Sequence, residues 1–446
     1  MNEKFSNRSL LVICYPQGWH WGLSIEFLNS ELTAGKFYDV IDASFVGDNL
    51  FLVKFKKFLG KYKFYRESMY FLANSNVRII NFNKWIYKRN KDNKTALIHK
   101  PITLSPAYNT IIESYGSMNL QKIIKSMRGL RIIHKEIRTS NKMYSQLSRL
   151  NIQDYQKIVT VNGRFNKNST VIKWCKTNGL KYNIIEFGTL TKNTFEIYEI
   201  SPHSMIEAQA KIEKYWNASN DSFRIQKANT YFDNMIKSKA SSGINFREKM
   251  IDGKVPIFSD KKICVYFASS EYEYAGINEE IASGKFVSQV EAFRVLLDVL
   301  NPNEWDVYLR RHPQKNGTKK FDGEKFLWKE FYGKSNVFII EPDSDIDSIS
   351  LGISADLIAT FWSTINMEFL ARGHQNAINL GPTAWNRLVP SRYLSNRSEI
   401  SRFIAGQQQP VSMKDVLPWA YFMSNFGTEF QIISSDAISG EWYFNN

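Results

Sequence analysis

The sequence has 446 residues, of which 43% are hydrophobic and 14% aromatic, which is enough apolar material for more than one packed domain. This composition excludes disorder of the whole chain. The net charge of +15 is unevenly placed, because residues 51–150 contain 21 Lys and Arg against 4 Asp and Glu. The basic region therefore indicates where an anionic partner approaches, but it does not identify that partner.

The three cysteines, Cys14, Cys175 and Cys264, form no C-x-x-C pair. An odd number without pair spacing predicts a reduced, cytoplasmic protein that has no structural disulfide. The first apolar stretch, residues 10–15, is shorter than a signal-peptide core or than a membrane span of ~18 residues. We therefore expect a cytoplasmic protein that at most lies on a membrane surface.

The first half of the chain twice shows a strand, a polar loop, a helix and a second strand. Short apolar runs that alternate with helical periodicity are typical of α/β domains. In chain order, the predicted elements are a strand at 9–15, a loop at 17–22, a helix at 23–32 and a strand at 38–41, and then a strand at 157–161, a loop at 162–165, a helix at 169–177 and a strand at 182–186.

The second half alternates strands and helices over about 120 residues. Its clearest helix covers 288–300, where Val290, Phe293, Leu297 and Leu300 recur at helical spacing. Because parallel neighbours need crossover connections, this alternation predicts a doubly wound parallel sheet. The predicted strands cover 263–268, 305–310, 336–340, 357–361 and 377–380.

These patterns predict an α/β protein with two facing Rossmann-like domains. The boundaries that we predict are 1–245 for the first domain and 255–410 for the second, with a linker inside 237–260, where Ser, Gly and charged residues replace the apolar pattern. Residues 411–446 begin with an aromatic helical pattern. We expect this segment to pack back on the first domain.

Polar residues follow the predicted strands of the second half, and ligands of open α/β sheets bind at the carboxyl ends of strands. Arg310 or Arg311, together with His312, suits a phosphate. Ser363 and Thr364 at the start of a helix offer hydroxyl and N–H groups to an anion. Glu368, one turn later, suits a ribose diol. Taken singly, these residues are more often part of a turn, a helix cap or the first turn of a helix than ligand contacts, so the prediction depends on their arrival at one edge of one sheet.

Several common sites have no motif in this sequence. It contains neither the phosphate-binding loop G-x-x-x-x-G-K-[ST] nor the dinucleotide fingerprint G-x-G-x-x-G. The six histidines are scattered without zinc spacing, and a G-x-S-x-G elbow is also missing. We therefore expect no metal and no cofactor.

The order of motifs resembles that of bacterial capsule and O-antigen glycosyltransferases of the GT-B fold. The similar residues cover roughly 157–190 and 263–382. They are, in chain order, Asn162-Gly163-Arg164-Phe165 with Glu186, Ser269-Ser270-Glu271, Gln289-x-Glu291-Ala292, Arg310-x-His312-Pro313, Ala355-Asp356, Thr360-Phe361-x-Ser363-Thr364-x-x-x-Glu368, Gly373 and Asn379-Leu380-Gly381.

The resemblance implies that the second domain binds a nucleotide-sugar donor. His312 and the Ser363-Thr364 loop would lie on the phosphate and Glu368 on the ribose, with Arg310, Ser269 and Ser270 as further donor-binding residues. The sequence departs from the pattern at Asn366, where the family usually has Gly, and at His374-Gln375, where it has Lys-Pro. We expect the side chain of Asn366 to narrow the donor pocket.

The first domain would bind the acceptor, a lipid-linked or growing glycan. Asn162, Gly163 and Arg164 are the candidate acceptor-binding residues, and Arg164 suits an acidic sugar or a phosphate. If the reaction inverts the configuration at the sugar, it also needs a base on the acceptor hydroxyl. The candidate bases are three residues, His20, Glu186 and Glu271.

The basic and aromatic run from Phe51 to Tyr65 is compatible with an amphipathic helix on an anionic membrane surface. The alternatives are a solvated basic helix that packs its aromatic residues inward and a nucleic-acid interface. The run lacks the RNA-recognition signature and any zinc-finger spacing. The placement of the charge therefore favours the inner face of the cell membrane over nucleic acid.

The leading hypothesis is a cytoplasmic, membrane-peripheral glycosyltransferase of capsule or lipopolysaccharide O-antigen synthesis that needs no metal. Its partners are then a nucleotide sugar, a glycan or lipid-linked glycan acceptor and an anionic membrane surface. Two alternatives stay open. One is a CDP-alcohol-dependent phosphotransferase of the teichoic-acid type, and the other is a non-enzymatic protein that binds polyanions or nucleic acid.

Overall fold

The structure is a computed structural model, and it describes residues 8–46, 63–75, 77–81, 105–115, 123–188, 193–237, 250–270, 286–312, 327–407, 409–435 and 441–445. Its contacts divide the chain into two compact units. Unit 1 contains residues 1–115, 119–202 and 427–446, and unit 2 contains residues 116–118 and 203–426.

Unit 1 is built on a seven-stranded sheet with the strand order β12-β6-β5-β4-β1-β2-β3. Its strands are β1 (Arg8–Ile13), β2 (Phe37–Asp42), β3 (Arg78–Asn81), β4 (Lys157–Val161), β5 (Tyr182–Phe187), β6 (Thr194–Tyr198) and β12 (Thr428–Glu429). Strands β1 to β5 are parallel, and β6 runs antiparallel to both of its neighbours. The predicted strands of the first half are all present, with ends shifted by one or two residues.

Helices cover both faces of this sheet. They are α1 (Gly18–Thr33), α2 (Lys63–Asn74), α3 (Tyr108–Tyr115), α4 (Met127–Leu147) and α5 (Asn166–Thr177). Leu11 and Ile13 of β1 lie in one apolar cluster with α1, while Leu10 and Val12 lie in another with α4 and α5. A strand whose residues are buried on both faces reads as a continuous apolar run, which is why the sequence predicts it.

Helix α1 begins at Gly18, so the predicted loop at 17–22 is wrong. Gly18 and Gly22 lower intrinsic helix stability by about 1 kcal/mol each relative to alanine. Tertiary packing explains why the helix forms, because the indole of Trp442 occupies the space that a side chain at either glycine would take. A Cβ atom would lie 2.7 Å from that indole at Gly18 and 2.4 Å at Gly22.

Unit 2 contains a five-stranded sheet in which all neighbours are parallel, with the order β11-β10-β7-β8-β9. The strands are β7 (Lys262–Phe267), β8 (Trp305–Arg310), β9 (Val337–Ile340), β10 (Leu357–Thr360) and β11 (Ala377–Asn379). The helices are α6 (Met205–Asn217), α7 (Asp221–Lys237), α8 (Gln289–Val299), α9 (Ser348–Ile353), α10 (Ile365–Ala371), α11 (Arg397–Ile404) and α12 (Met413–Asn425). The doubly wound sheet and its five predicted strands are confirmed.

The unit boundary differs from the predicted domain boundary near 245. Helices α6 and α7 belong to unit 2, because Ile212 and Phe232 pack in the same apolar cluster as Val265 of β7 and Trp419 of α12. The helix predicted near the start of residues 411–446 is present as α12, but it also packs in unit 2. The chain then returns to unit 1 as strands: β12 joins the large sheet, and β13 (Ile433–Ser435) pairs with β14 (Trp442–Phe444).

All three cysteines are buried thiols. Burial raises the pKa of Cys14 and of Cys175 to about 12.

Across the described ranges, no helix is long and apolar enough to cross a membrane.

Candidate functional site

The strand order of unit 2 contains a topological switch point. From β7 the chain moves outward through β8 and β9, and it then returns to place β10 on the other side of β7. In such sheets the crevice lies between the loops that leave the two central strands. Here these loops carry Ser269 and Ser270 after β7, and Ser363 and Thr364 after β10.

The loop after β7 is fixed by an amide clamp. The side chain of Gln289, at the start of α8, accepts the N–H of Ser269 and donates to its carbonyl, both at 3.0 Å. Ser269 and Ser270 are nearly buried. The Ser269 hydroxyl has no hydrogen-bond partner among the described residues. The clamp therefore holds in place a hydroxyl that is available to hydrogen-bond a ligand.

Arg310 is the last residue of β8, and only 2% of its surface is exposed. Its Nη1 donates to the carbonyl of Glu341 at 2.7 Å, and its Nε donates to the Ser348 hydroxyl at 3.3 Å. The third nitrogen, Nη2, has no partner among the described residues. Burial lowers the pKa of Arg310 to about 10, which still leaves it positively charged at neutral pH.

His312 and Arg311 follow on the same loop with different surroundings. Burial lowers the pKa of His312 to about 4, and the charge of Arg310 adds to this effect, so the ring is neutral at physiological pH. Arg311 is fully buried and forms an ion pair with the Glu341 carboxylate, which also accepts the Tyr332 hydroxyl at 2.6 Å. Of the two adjacent arginines that the sequence offers for a phosphate, Arg311 is therefore held by Glu341.

The loop after β10 leads into the short helix α10. The Ser363 hydroxyl accepts the N–H of Ile365 at 3.4 Å, whereas Thr364 is exposed and its side chain makes no capping hydrogen bond. Glu368 is buried, with its carboxylate 3.9 Å from the Arg372 guanidinium. Asn366 is fully buried, and neither of its amide atoms has a hydrogen-bond partner among the described residues.

Unit 1 has the same kind of switch point between β1 and β4. After β4 the chain turns through Asn162 and Gly163, whose φ angles are +62° and +74°. The amide of Asn162 donates to the Glu186 carboxylate, and its oxygen accepts the N–H of Arg164 at 3.1 Å. Asn162, Arg164 and Glu186, to which the sequence analysis gives different roles, thus form one connected group.

His20 lies in the first turn of α1 and is 1% exposed. Its ring centroid is 3.8 Å from that of Trp19 and 5.1 Å from that of Tyr15. Burial lowers the pKa of His20 to about 3, with a smaller contribution from the positive charge of Lys167, so the ring is neutral. Its Nδ1 has no partner among the described residues.

A row of partly exposed aromatic rings beside this switch point was missed by the sequence analysis. The centroid of Trp19 is 6.3 Å from Phe165 and 6.1 Å from Phe187, and Phe187 stacks on Trp442 at 5.9 Å. Trp442 comes from the last residues of the chain. The only sequence signal for its position is the glycine pair, Gly18 and Gly22, one helical turn apart.

A buried carboxylate holds the C-terminal segment in place. Glu26 of α1 accepts the N–H groups of Gln431 at 2.9 Å, of Ile432 at 2.6 Å and of Ile433. Burial raises the pKa of Glu26 even though these hydrogen bonds act in the opposite direction. Glu26 therefore positions the hairpin that supplies Trp442.

Two predictions fall on residues that the structure leaves undescribed. Glu271, the third candidate base, lies outside the described residues, and so does most of the Phe51–Tyr65 run, of which only residues 63–65 are described. Within the described ranges, no group of three or more His, Cys, Asp or Glu residues is arranged to hold a metal ion.

No protein-family model matches the sequence, and neither does any curated protein. Among solved structures, the chain is similar to the β-Kdo 2,4-transferase KpsC of Thermosulfurimonas dismutans, with 12% identity and a TM-score of 0.39 over 60% of this chain and 88% of that chain. It is also similar to the UDP-GlcNAc 2-epimerase of Neisseria meningitidis bound to UDP-GlcNAc, with 11% identity and a TM-score of 0.29 over 95% and 96% of the two chains.

A third similar structure is a UDP-forming α,α-trehalose-phosphate synthase from Burkholderia xenovorans, with 10% identity, a TM-score of 0.32 and coverage of 94% of both chains. At such TM-scores and identities, the likeness carries no argument about activity or substrate. The fold assignment rests on the strand order of the two sheets themselves.

Proposed function

We propose that this protein is a nucleotide-sugar-dependent glycosyltransferase that transfers a sugar to a lipid-linked or growing surface polysaccharide, as in capsule or O-antigen synthesis. One observation carries the proposal. Unit 2 places Ser269, Arg310, His312 and Ser363 on the carboxyl edge of a single parallel sheet, around its switch point. This is where α/β sheets of this order bind nucleotides.

The chemistry of this edge suits a departing nucleoside monophosphate or diphosphate. Breaking the bond to the sugar places negative charge on a phosphate oxygen, and preorganised donors lower the free energy of that state. Arg310 is charged at neutral pH and already donates from Nε and Nη1, while its Nη2 has no partner among the described residues. The proposed donor site is completed by neutral His312, by Glu368 on the ribose and by four hydroxyls, those of Ser269, Ser270, Ser363 and Thr364.

The acceptor would bind at the switch point of unit 1. Asn162, Gly163 and Arg164 form the turn after β4, and the side chain of Arg164 lies over the ring of Phe165 at 5.5 Å. The base is proposed to be His20, Glu186 or Glu271. Glu186 is half-buried and hydrogen-bonded to Asn162, whereas His20 is neutral and enclosed by aromatic rings.

A thermal-shift screen with CMP, UDP, GDP and dTDP tests the proposal first. A ligand that binds only the folded state raises the melting temperature as its concentration exceeds Kd. We expect one nucleotide to stabilise the protein. The corresponding nucleotide sugars are then tested for hydrolysis or transfer.

The outcomes of the screen separate the candidate functions. If CDP-glycerol stabilises the protein and is turned over, while no nucleotide sugar is turned over, the phosphotransferase alternative is identified. The absence of binding and turnover with every nucleotide, nucleotide sugar and CDP-alcohol overturns both enzymatic functions.

A further inference from the structure

A groove of about 1220 Å³ opens on unit 1, and none of its lining residues belongs to the loops at the two switch points. One wall is helix α2, and the other is the last strand, β14. The lining residues are Lys63, Arg66, Glu67, Tyr70, Phe71, Asn74 and Ser75 from the helix side and Tyr443, Phe444 and Asn445 from the strand side.

Helix α2 presents two different faces. Phe64, Tyr65, Ser68 and Leu72 are buried against unit 1. On the other side, Lys63, Arg66 and Tyr70 recur at intervals of three and four residues and are exposed, with Tyr70 at 75%. Side chains at this spacing share one helix face, so two cations and a tyrosine line up along the groove.

The strand wall of the groove is aromatic and firmly held. The ring of Phe444 lies 5.6 Å from Phe64 and 5.6 Å from Phe71, while Tyr443 is 48% exposed. The paired strand β13 is fixed by the Glu26 carboxylate, which accepts the N–H of Ile433. The groove therefore has an apolar floor and exposed tyrosines at its rim.

We propose that this groove binds the headgroups of anionic phospholipids at a membrane surface. This inference rests on the proposed function in one respect, which is that a lipid-linked acceptor would bring the enzyme to a membrane. Arg66 and Lys63 supply the positive charge that complements a phosphate headgroup, although Glu67, also in the lining, lies 3.8 Å from the Lys63 ammonium and leaves the groove a net charge of +1. Tyrosines favour the boundary between water and lipid because their rings are apolar and their hydroxyls polar.

Co-sedimentation with lipid vesicles tests the groove. The full-length protein is mixed with vesicles of pure phosphatidylcholine, and with vesicles that also contain phosphatidylglycerol. We expect binding only to the anionic vesicles. Because each cation near the surface contributes about fivefold to binding, K63Q/R66Q should weaken it about tenfold or more. Y70A/Y443A should also weaken it.

A matched control removes the same charge elsewhere on unit 1. K142Q/K173Q neutralises two exposed lysines on α4 and α5, and its vesicle binding should stay within about twofold of the wild type. The inference is overturned if the wild type ignores anionic vesicles, if K63Q/R66Q binds as well as the wild type, or if the control loses as much. Nucleotide binding by each variant is measured in parallel, so failure of the groove is distinct from failure of the proposed enzyme.

Discussion

The two units share the order of their five parallel strands and differ in what lies at the carboxyl edge of the sheet. In both, a central strand has two parallel strands on one side and the next parallel pair on the other. The edge of unit 2 is polar and contains a buried, charged arginine, Arg310. The edge of unit 1 is aromatic around Trp19 and Phe187. The same backbone scaffold thus supports two kinds of chemistry, which are set by the side chains that follow each strand.

The largest expected difference between the units is in stability, and it is expected on replacing Glu26 of unit 1. Replacing it with Ala removes the acceptor of three backbone N–H groups, so E26A should lower the free energy of unfolding by about 3 kcal/mol or more. Urea unfolding measures this change. The control E429A removes an exposed carboxylate from β12 and should stay within about 0.5 kcal/mol of the wild type.

The same variant distinguishes an effect on unit 1 from an effect on unit 2. Nucleotide binding by E26A should match that of the wild type at temperatures where the variant is folded, because the clamp lies in unit 1. Equal unfolding free energies for E26A and E429A would contradict the clamp.

The next effect is on pH dependence, and both units contribute. His20 and His312 have folded-state pKa values of about 3 and about 4, below the value of 6.5 that an unfolded histidine has. Between these values the unfolded chain binds more protons, so stability is fully present above pH 6.5 and is lost as the pH falls. Each histidine should cost about 2 kcal/mol between pH 7 and pH 5.

Unfolding of H20Q and H312Q at both pH values assigns this loss. Each variant should show a smaller difference between pH 7 and pH 5 than the wild type does. A wild-type stability that does not change over this range would show that neither histidine is held neutral.

The third effect is on ligand affinity and distinguishes Arg310, at the end of strand β8, from Arg164, in the loop after strand β4. R310M removes the proposed phosphate donor and should weaken nucleotide binding about tenfold or more, because a hydrogen bond to a charged group contributes about 1.5–3 kcal/mol. R164M, the matched change in unit 1, should leave nucleotide affinity unchanged. Titration calorimetry measures both.

Since Arg310 is buried, R310M could lower affinity by disturbing the fold. R310K therefore serves as a second variant, and circular dichroism verifies that each protein is folded. Partial recovery of affinity in R310K is expected. An R310M protein that is folded and binds nucleotide like the wild type would exclude Arg310 from the donor site.

The smallest effect is expected for the hydroxyls after β10. S363A/T364A should weaken nucleotide binding about fivefold, since a neutral hydrogen bond contributes about 1 kcal/mol. The control S401A changes an exposed serine of α11 and should have no effect on binding. If the double variant and the control have the same affinity, the loop after β10 does not contact the ligand.

The sequence predicts the parallel strands well, for a physical reason. Strands buried on both faces are continuous apolar runs, as in Leu10–Ile13 and Ile263–Ala268, and polar residues mark their ends. The positions of Arg310, His312 and Ser363 at one sheet edge follow directly from those ends. Their roles in binding stay predictions.

The remaining features depend on contacts between distant parts of the chain. Strands β12 to β14 have only two or three residues each, too few for a period to be recognised. The Glu26 clamp joins residues about 405 positions apart. The start of α1 at Gly18 depends on Trp442, so local propensity alone predicts a loop there.

Hydrogen–deuterium exchange with and without the nucleotide found in the screen tests the central claim, that the donor binds at the switch point of unit 2. We predict slower exchange in peptides that cover residues 262–270, 305–312 and 357–371, and unchanged exchange in residues 8–33 and 157–187. Protection confined to the latter two ranges, while nucleotide binding persists, would place the site on unit 1 and contradict the account.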